Sequence, residues 1–378
     1  MERKNRINKR LLRLLSYVLV ATLASAVTWA VSPRLSKLEN LATVIGNRFV
    51  NETDQTKLHD AAAEGMVASL GDRWSYYISA EDYQEHLNSQ NNRYVGVGIT
   101  VIQREDGTGY NIEAVIPGGP AEEAGILPGD ILTHADGTEL GNLDVTQMRG
   151  HVMGEKNTTV VLTVLRAGES LEFPVTRKAI HTVAATGEML PENIGLVTIA
   201  NFHEDAGKET IQTIRELVDQ GATALILDVR NNPGGYKKEL VEALDYLLPE
   251  GPLFRSVSEG KEEVDKSDAS CLEMPMAVLI NGYSYSAAEF FAAALSEYNW
   301  AVTVGEPTTG KGYFQVTIPL GDGSAVNLSV GKYFTPNGVN LTETGGLVPD
   351  IPVEPAQGVV APQEDPQIQA AVAALRQQ

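Results

Sequence analysis

From Ile194 onward the chain alternates short, almost wholly apolar runs with stretches of helical periodicity, and that order is met by a sheet covered with helices. Ile194-Gly-Leu-Val-Thr-Ile-Ala200 opens the series as a strand. Glu204 to Gln220 follows with apolar residues at Ile211, Ile214, Leu217 and Val218, a stripe suited to covering one sheet face. Thr223-Ala-Leu-Ile-Leu-Asp228 is a buried strand, Met276-Ala-Val-Leu-Ile280 is the next strand, and Trp300 to Val304 is another. With 378 residues, 43% of them hydrophobic, the chain is long enough for two or three domains with real cores.

Other patterns precede this series. Leu35 to Leu87 reads as helical, with Leu38, Leu41, Val44, Ile45 and Phe49 forming one buried stripe. A break falls at Gly71-Asp-Arg-Trp-Ser-Tyr-Tyr77, Ser79 caps a helix from Ala80 to Leu87 with Asp82 placed as in a capping box, and Asn88-Ser-Gln-Asn-Asn92 is a polar linker. From Arg93 to about Ile180 short strands alternate with glycine turns, beginning with Tyr94-Val-Gly-Val-Gly-Ile-Thr-Val101. A short helix from Pro120 is ended by Gly125, Leu143 to Gly150 is a second helix, and Thr158 to Leu165 and Leu171 to Val175 are closing strands. This succession resembles a PDZ domain. The resemblance implies that the glycine loop Val95-Gly96-Val97-Gly98-Ile99 presents backbone N–H groups to a peptide carboxylate, the peptide adding as a strand to the adjoining edge.

The N-terminus reverses the charge of the whole. Arg3, Lys4, Arg6, Lys9, Arg10 and Arg13 precede an uncharged run from Leu14 to Val31, an export signal that is either retained as a membrane anchor or cleaved after Ala24-Ser-Ala26. In either case the remainder lies outside the cytoplasmic membrane. The formal charge of −20, from 29 basic and 49 acidic residues, excludes a phosphate-backbone partner, so no nucleic acid is expected. Cys271 is the single cysteine and allows no intramolecular disulfide.

Two segments of the α/β series carry chemistry. Asn281-Gly-Tyr-Ser-Tyr-Ser-Ala-Ala-Glu289 joins the strand ending at Ile280 to a helix of strong propensity, and a serine on such a turn is exposed as a nucleophile or caps the helix. Gly305-Glu-Pro-Thr-Thr-Gly-Lys-Gly-Tyr-Phe-Gln315 follows the next strand. All six histidines, at 59, 86, 134, 151, 181 and 203, lie before both segments, leaving Lys311 as the base for Ser284 or Ser286. An apolar pocket disfavours the ammonium and populates the neutral amine. Asp228-Val-Arg-Asn-Asn-Pro-Gly-Gly235 stands at a strand end, where Gly234 and Gly235 let amides converge as an oxyanion hole requires, with the amide of Ala287 as a further donor.

Together these motifs, with Tyr333-Phe-Thr-Pro-Asn-Gly338 and Gly346-Leu-Val-Pro-Asp350, resemble the carboxyl-terminal processing peptidases, the S41 or tail-specific serine proteases with an inserted PDZ domain. The resemblance runs from about Leu38 to Val353. It places the nucleophile at Ser286, with Lys311 at the family's interval of 25 residues, and gives Gln315 as support for the lysine; Glu297 lies where some members carry an acidic helper. Tyr285 and Ala288 depart from the usual alanine and serine. The implied fold is a ClpP/crotonase-like α/β protease core with an inserted β-rich PDZ domain and N-terminal helices. Its divisions are a basic tail and signal-anchor over 1–33, a helical region over 34–92, the PDZ domain over 93–180 and the protease core with a C-terminal helix over 181–378. The implied enzyme is a serine endopeptidase acting on proteins or peptides with exposed C-termini, without cofactor or metal, tethered to the membrane by its N-terminal helix. The N-terminal helices and the C-terminal helix Pro366 to Arg376 expose possible homodimer faces.

Overall fold

The computed structural model describes residues 37–377 apart from positions 105 and 359, so the export signal at 14–31 lies outside the described residues. Among the described residues, no helix is long and apolar enough to cross a membrane. Two compact units form, one ending at Arg73 and the other spanning Trp74–Gln378.

In the first unit, helix Lys37–Arg48 is followed by helix Gln55–Ala68, whose first N–H groups are capped by the Asp54 carboxylate. The expected buried stripe is corrected here: Leu41, Val44 and Phe49 are 52%, 57% and 56% exposed, and Ala42 is the buried residue of its helix. Helix 55–68 buries none of its own residues, so among the described residues it does not close over that stripe.

In the second unit, Ser79 caps helix Ala80–Gln90 and its hydroxyl donates to Asp82. The helix extends into the expected linker, its last turns joined by a Gln84 to Asn88 side-chain bond. Strand Arg93–Gly96 then pairs antiparallel with Lys178–His181, so a two-stranded stem carries the β-rich module between its ends. The module's sheet runs in the order Ile99–Gln103, Tyr110–Val115, Ile131–Ala135, Thr159–Arg166, Glu169–Thr176. Alternate residues Val160, Leu162 and Val164 point inward onto Tyr110, Ile112 and Leu132. Helix Val145–Val152 begins at a capping box between Asp144 and Gln147.

The α/β part holds a six-stranded sheet in the order Ala185–Leu190, Ile194–Ile199, Ala224–Asp228, Met276–Ile280, Ala301–Gly305, Ile351–Pro352. The first pair is antiparallel and every later pair parallel. Strands 224–228 and 276–280 are buried at every residue, and their two faces enter different cores. Leu225, Leu227, Val278 and Ile280 meet helices Ala206–Asp219, Lys237–Leu247 and Ala287–Glu297, whereas Ile226, Ala277 and Leu279 meet Ile368, Ala371 and Leu375 of the C-terminal helix Pro366–Leu375. Full burial explains why these strands read as unbroken apolar runs. A second sheet, built on the long strand Ala325–Phe334, carries strand Tyr313–Pro319 along one side and Gly251–Ser258 and Tyr76–Ile78 along the other.

Candidate active site

Strands 224–228, 276–280 and 301–305 are consecutive parallel neighbours, so the loops leaving their C-terminal ends emerge side by side. These loops carry Gly234 and Gly235, Ser286, and Lys311 respectively. Asn281 Nδ2 donates to Asn231 Oδ1 at 3.0 Å, and the Tyr285 N–H to the Asn232 carbonyl at 3.2 Å, joining the first loop to the second. The Thr309 N–H donates to the Ser284 carbonyl at 3.2 Å, and the Thr309 hydroxyl to the Gly282 carbonyl at 2.7 Å, joining the second to the third.

The two candidate serines differ sharply. Ser284 is wholly buried and its hydroxyl donates to the Val229 carbonyl at 2.8 Å while accepting from the Asn281 N–H at 3.0 Å. It fastens one loop to another. Ser286 is the residue before helix Ala287–Glu297 and holds φ 58°, ψ −127°, a conformation that costs a β-carbon-bearing residue on the order of 1–3 kcal/mol. Ser286 is 8% exposed, so the serine expected to stand exposed on this turn is in fact buried.

Gly234 has φ 86°, and a β-carbon built there would lie 2.8 Å from the Ser286 Cβ and 2.9 Å from the Ala287 nitrogen. Only glycine permits that approach. The Gly234 N–H donates to Asn232 Oδ1 at 2.8 Å in this arrangement, and Asn232 itself is anchored by Nδ2 on the Ile199 carbonyl. Gly235 forms a bridge with Phe202, whose carbonyl a β-carbon at 235 would strike at 2.1 Å.

Lys311 is half-buried, its Nζ 4.8 Å from the centre of the Trp74 ring and 5.8 Å from that of Tyr285. The two rings stack on each other with centroids 5.9 Å apart. Their faces attract the ammonium form. Burial raises the Tyr285 phenol above its ordinary range, keeping it neutral beside the amine. Gln315, on strand 313–319, donates from its amide to the Tyr313 carbonyl and the Ser329 hydroxyl. Glu297 accepts from the Thr335 hydroxyl at 2.5 Å and the Asn337 N–H at 2.8 Å, a clamp on a turn. Sequence reasoning passed over Glu289 and Asn232; their signal was a carboxylate and an amide set among residues otherwise apolar or turn-forming.

Farther from these loops, Val95 and Gly96 lie in the stem, while the Val97 and Gly98 carbonyls accept from Ala121 and Ile116 at the turn before strand 99–103. Ile99 begins that strand, which lies at one end of the module's sheet. A cleft of about 1120 Å³ reaches from Tyr94, Val95, Arg149 and Met153 to Asn201 and Pro233, on the turn that carries Gly234. Among the described residues, no cluster of three histidine, cysteine or acidic side chains could hold a metal ion.

Comparison with known proteins names the class that this architecture defines. Residues 193–353 match the model of peptidase family S41, 112–166 that of a PDZ domain, and 20–82 that of the activating protease CtpB N-terminal domain. The carboxy-terminal processing protease CtpA of Bacillus subtilis (strain 168) is 32% identical over 366 residues, which cover 92% of this chain and 78% of that one. A probable CtpA-like serine protease of Staphylococcus aureus (strain N315) is 30% identical over 344 residues, 90% of this chain and 68% of that one. A putative S41 protease from Bacteroides fragilis NCTC 9343 shares the fold, with a TM-score of 0.57 at 17% identity over 91% of this chain and 99% of that one. The molecule is a serine-type peptidase with a PDZ module. The chain belongs to peptidase family S41, among the carboxy-terminal processing proteases.

Proposed function

We propose that Ser286 and Lys311 form a catalytic dyad that hydrolyses peptide bonds in proteins delivered by their C-terminal tails. The observation that carries this reading is the strained, buried turn at Ser286 beside the lysine loop, with Ser284 already engaged in joining loops. The neutral fraction of Lys311 takes the hydroxyl proton as the Ser286 oxygen attacks the scissile carbonyl, and the Trp74 and Tyr285 rings stabilise the ammonium that forms. The amides of Ala287 and of the Gly234–Gly235 turn receive the oxyanion, Gly234 releasing its bond to Asn232 as it does so. Lys311 then protonates the leaving amine, and a water deprotonated by the same lysine hydrolyses the acyl-enzyme. The Gln315 carbonyl oxygen supports the ammonium between these steps, its amide nitrogen being held by Tyr313 and Ser329.

The PDZ module spans 93–180, and its loop Val95–Ile99 takes the tail carboxylate while the peptide adds to the edge of strand 99–103. The cleft from Val95 to Pro233 suits an extended chain passing from module to dyad. The protease core, 181–378, is of the ClpP/crotonase kind, a reading supported by its strands entering the parallel sheet in chain order. Residues 1–33 serve as a basic tail and export signal, placing 34–378 outside the cytoplasmic membrane. The exposed apolar residues of helix 37–48 offer a homodimer face.

The test is cleavage of an unstructured protein with an apolar C-terminus by Ser286→Ala and Lys311→Ala. Both variants are expected to be inactive, and cleavage by either at the wild-type rate overturns the dyad.

A further inference from the structure

Glu289 is wholly buried in a helix whose neighbouring residues Ala287, Ala288, Phe290, Phe291 and Ala292 are all apolar and buried. A carboxylate in such surroundings is costly unless hydrogen bonds satisfy it. Four donors converge on it. Oε2 accepts from the Ser286 N–H at 2.9 Å and from the Lys311 N–H at 2.8 Å. Oε1 accepts from the Gly310 N–H at 2.7 Å and from the Thr308 hydroxyl at 2.5 Å. The Thr308 oxygen accepts in turn from the Leu347 N–H at 2.8 Å, which draws the Gly346–Asp350 motif into the same network.

A glutamate at the third helical position often reaches back to the residue before the helix. That accounts for the bond to Ser286 alone. The other three donors come from a loop 19 to 22 residues downstream. No helix-capping rule places them there.

We infer that Glu289 is the positioning residue of the dyad: a single carboxylate oxygen bridges the main-chain amides of Ser286 and Lys311 and sets how far apart their backbones stand. This rests on the dyad reading above. The bond to the Ser286 N–H also helps hold that residue at its positive φ, a conformation that persists only where the surroundings over-determine it. Glutamine cannot replace the clamp, because an amide accepts at one oxygen only. Whichever way it is turned, its NH2 group faces two donors, either Ser286 with Lys311 or Gly310 with Thr308.

The test compares full-length Glu289→Gln, Thr308→Val and Thr308→Ser, with Ser286→Ala and Lys311→Ala alongside. It reads kcat and KM on an unstructured protein substrate, the rate of covalent labelling by a fluorophosphonate, and the melting temperature. Glu289→Gln is expected to lose about 100-fold or more in both kcat and labelling rate, as for a misplacement of roughly 1 Å, with KM within about 3-fold of wild type. Thr308→Val is expected to lose about 3- to 10-fold in kcat, and Thr308→Ser to stay near wild type. If Glu289→Gln does not fold, the Thr308 pair decides. The proposal is overturned if folded Glu289→Gln keeps kcat and labelling within about 3-fold of wild type, if its loss lies in KM alone, or if Thr308→Val is as active as Thr308→Ser. Ser286→Ala and Lys311→Ala separate the two failures. Inactivity of both beside an active Glu289→Gln removes the clamp and leaves the dyad, whereas wild-type cleavage by either removes the dyad itself.

Discussion

Replacing Gly234 by alanine tests how closely the glycine turn and the Ser286 turn are fitted. The added methyl would lie 2.8 Å from the Ser286 Cβ, 2.8 Å from the Tyr285 carbonyl oxygen and 2.9 Å from the Ala287 nitrogen, where ordinary contact begins at 3.4 Å. Two of the three obstacles are main-chain atoms and none is the tip of a flexible side chain. The turn itself cannot retreat easily, because its carbonyl accepts from the Phe202 N–H and its N–H is held by Asn232. The displacement therefore falls on the Ser286 side and amounts to roughly half an ångström or more, overpacking that costs about 1–3 kcal/mol. A further 1–2 kcal/mol or so comes from forcing alanine to positive φ. Gly221→Ala isolates that second contribution, since Gly221 has φ 100° and nothing within 4 Å of a β-carbon. Thermal or urea unfolding should show Gly221→Ala losing about 1–2 kcal/mol with unchanged kcat, and Gly234→Ala losing about 2–5 kcal/mol. Its kcat on an unstructured protein should fall by up to about 100-fold, because positioning errors of this size are felt in the transition state. A Gly234→Ala enzyme with kcat within about 3-fold of wild type would refute the close fit of the two turns.

Ser284→Ala should lower stability by about 1–3 kcal/mol, through the unsatisfied Asn281 N–H and the lost bond to the Val229 carbonyl, while leaving cleavage in place, and loss of chemistry in a folded variant would restore Ser284 as a candidate nucleophile. Arg230 joins the turn after Asp228 to the C-terminal helix through Asp228, Asp365 and Gln367, with 16% of its side chain exposed. Arg230→Met should therefore destabilise by about 3–5 kcal/mol, measured by urea unfolding, and an unchanged midpoint would contradict a structural role for that network. In the PDZ module burial pushes the Asp130 carboxyl upward, but bonds from Arg166 and the Leu127 N–H outweigh it and hold the group below the usual carboxylate range. Its contribution to stability is thus complete above about pH 4 and is lost as pH falls through the lowered value, so Arg166→Gln should flatten the acid limb of module unfolding; an unaltered limb would exclude the pair as its source.

The buried strands and the three loops were legible because full burial on both faces writes an apolar run, and glycine at strand ends marks the turn. The second sheet was less so. Strand Lys261–Ser267 contains Lys261, Glu262, Glu263, Asp265 and Lys266 and is held mainly by its antiparallel ladder to 251–258, which leaves little hydrophobic pattern to read. The apolar residues of helix 37–48 misled in the opposite direction, for their spacing is that of a buried face while their side chains meet solvent. Glu289 was visible as a letter and not as a hub, because its partners at 308–311 are main-chain N–H groups and one hydroxyl brought close by the order of strands. Nothing local to the helix encodes them.

The central claim is that Ser286, activated by Lys311, is the nucleophile. Mass-spectrometric mapping of the full-length enzyme after fluorophosphonate treatment tests it most directly. The adduct should lie on Ser286 and be lost in Lys311→Ala under conditions where that variant remains folded. An adduct on Ser284 or on any residue other than Ser286, or labelling of Lys311→Ala at the wild-type rate, would contradict it.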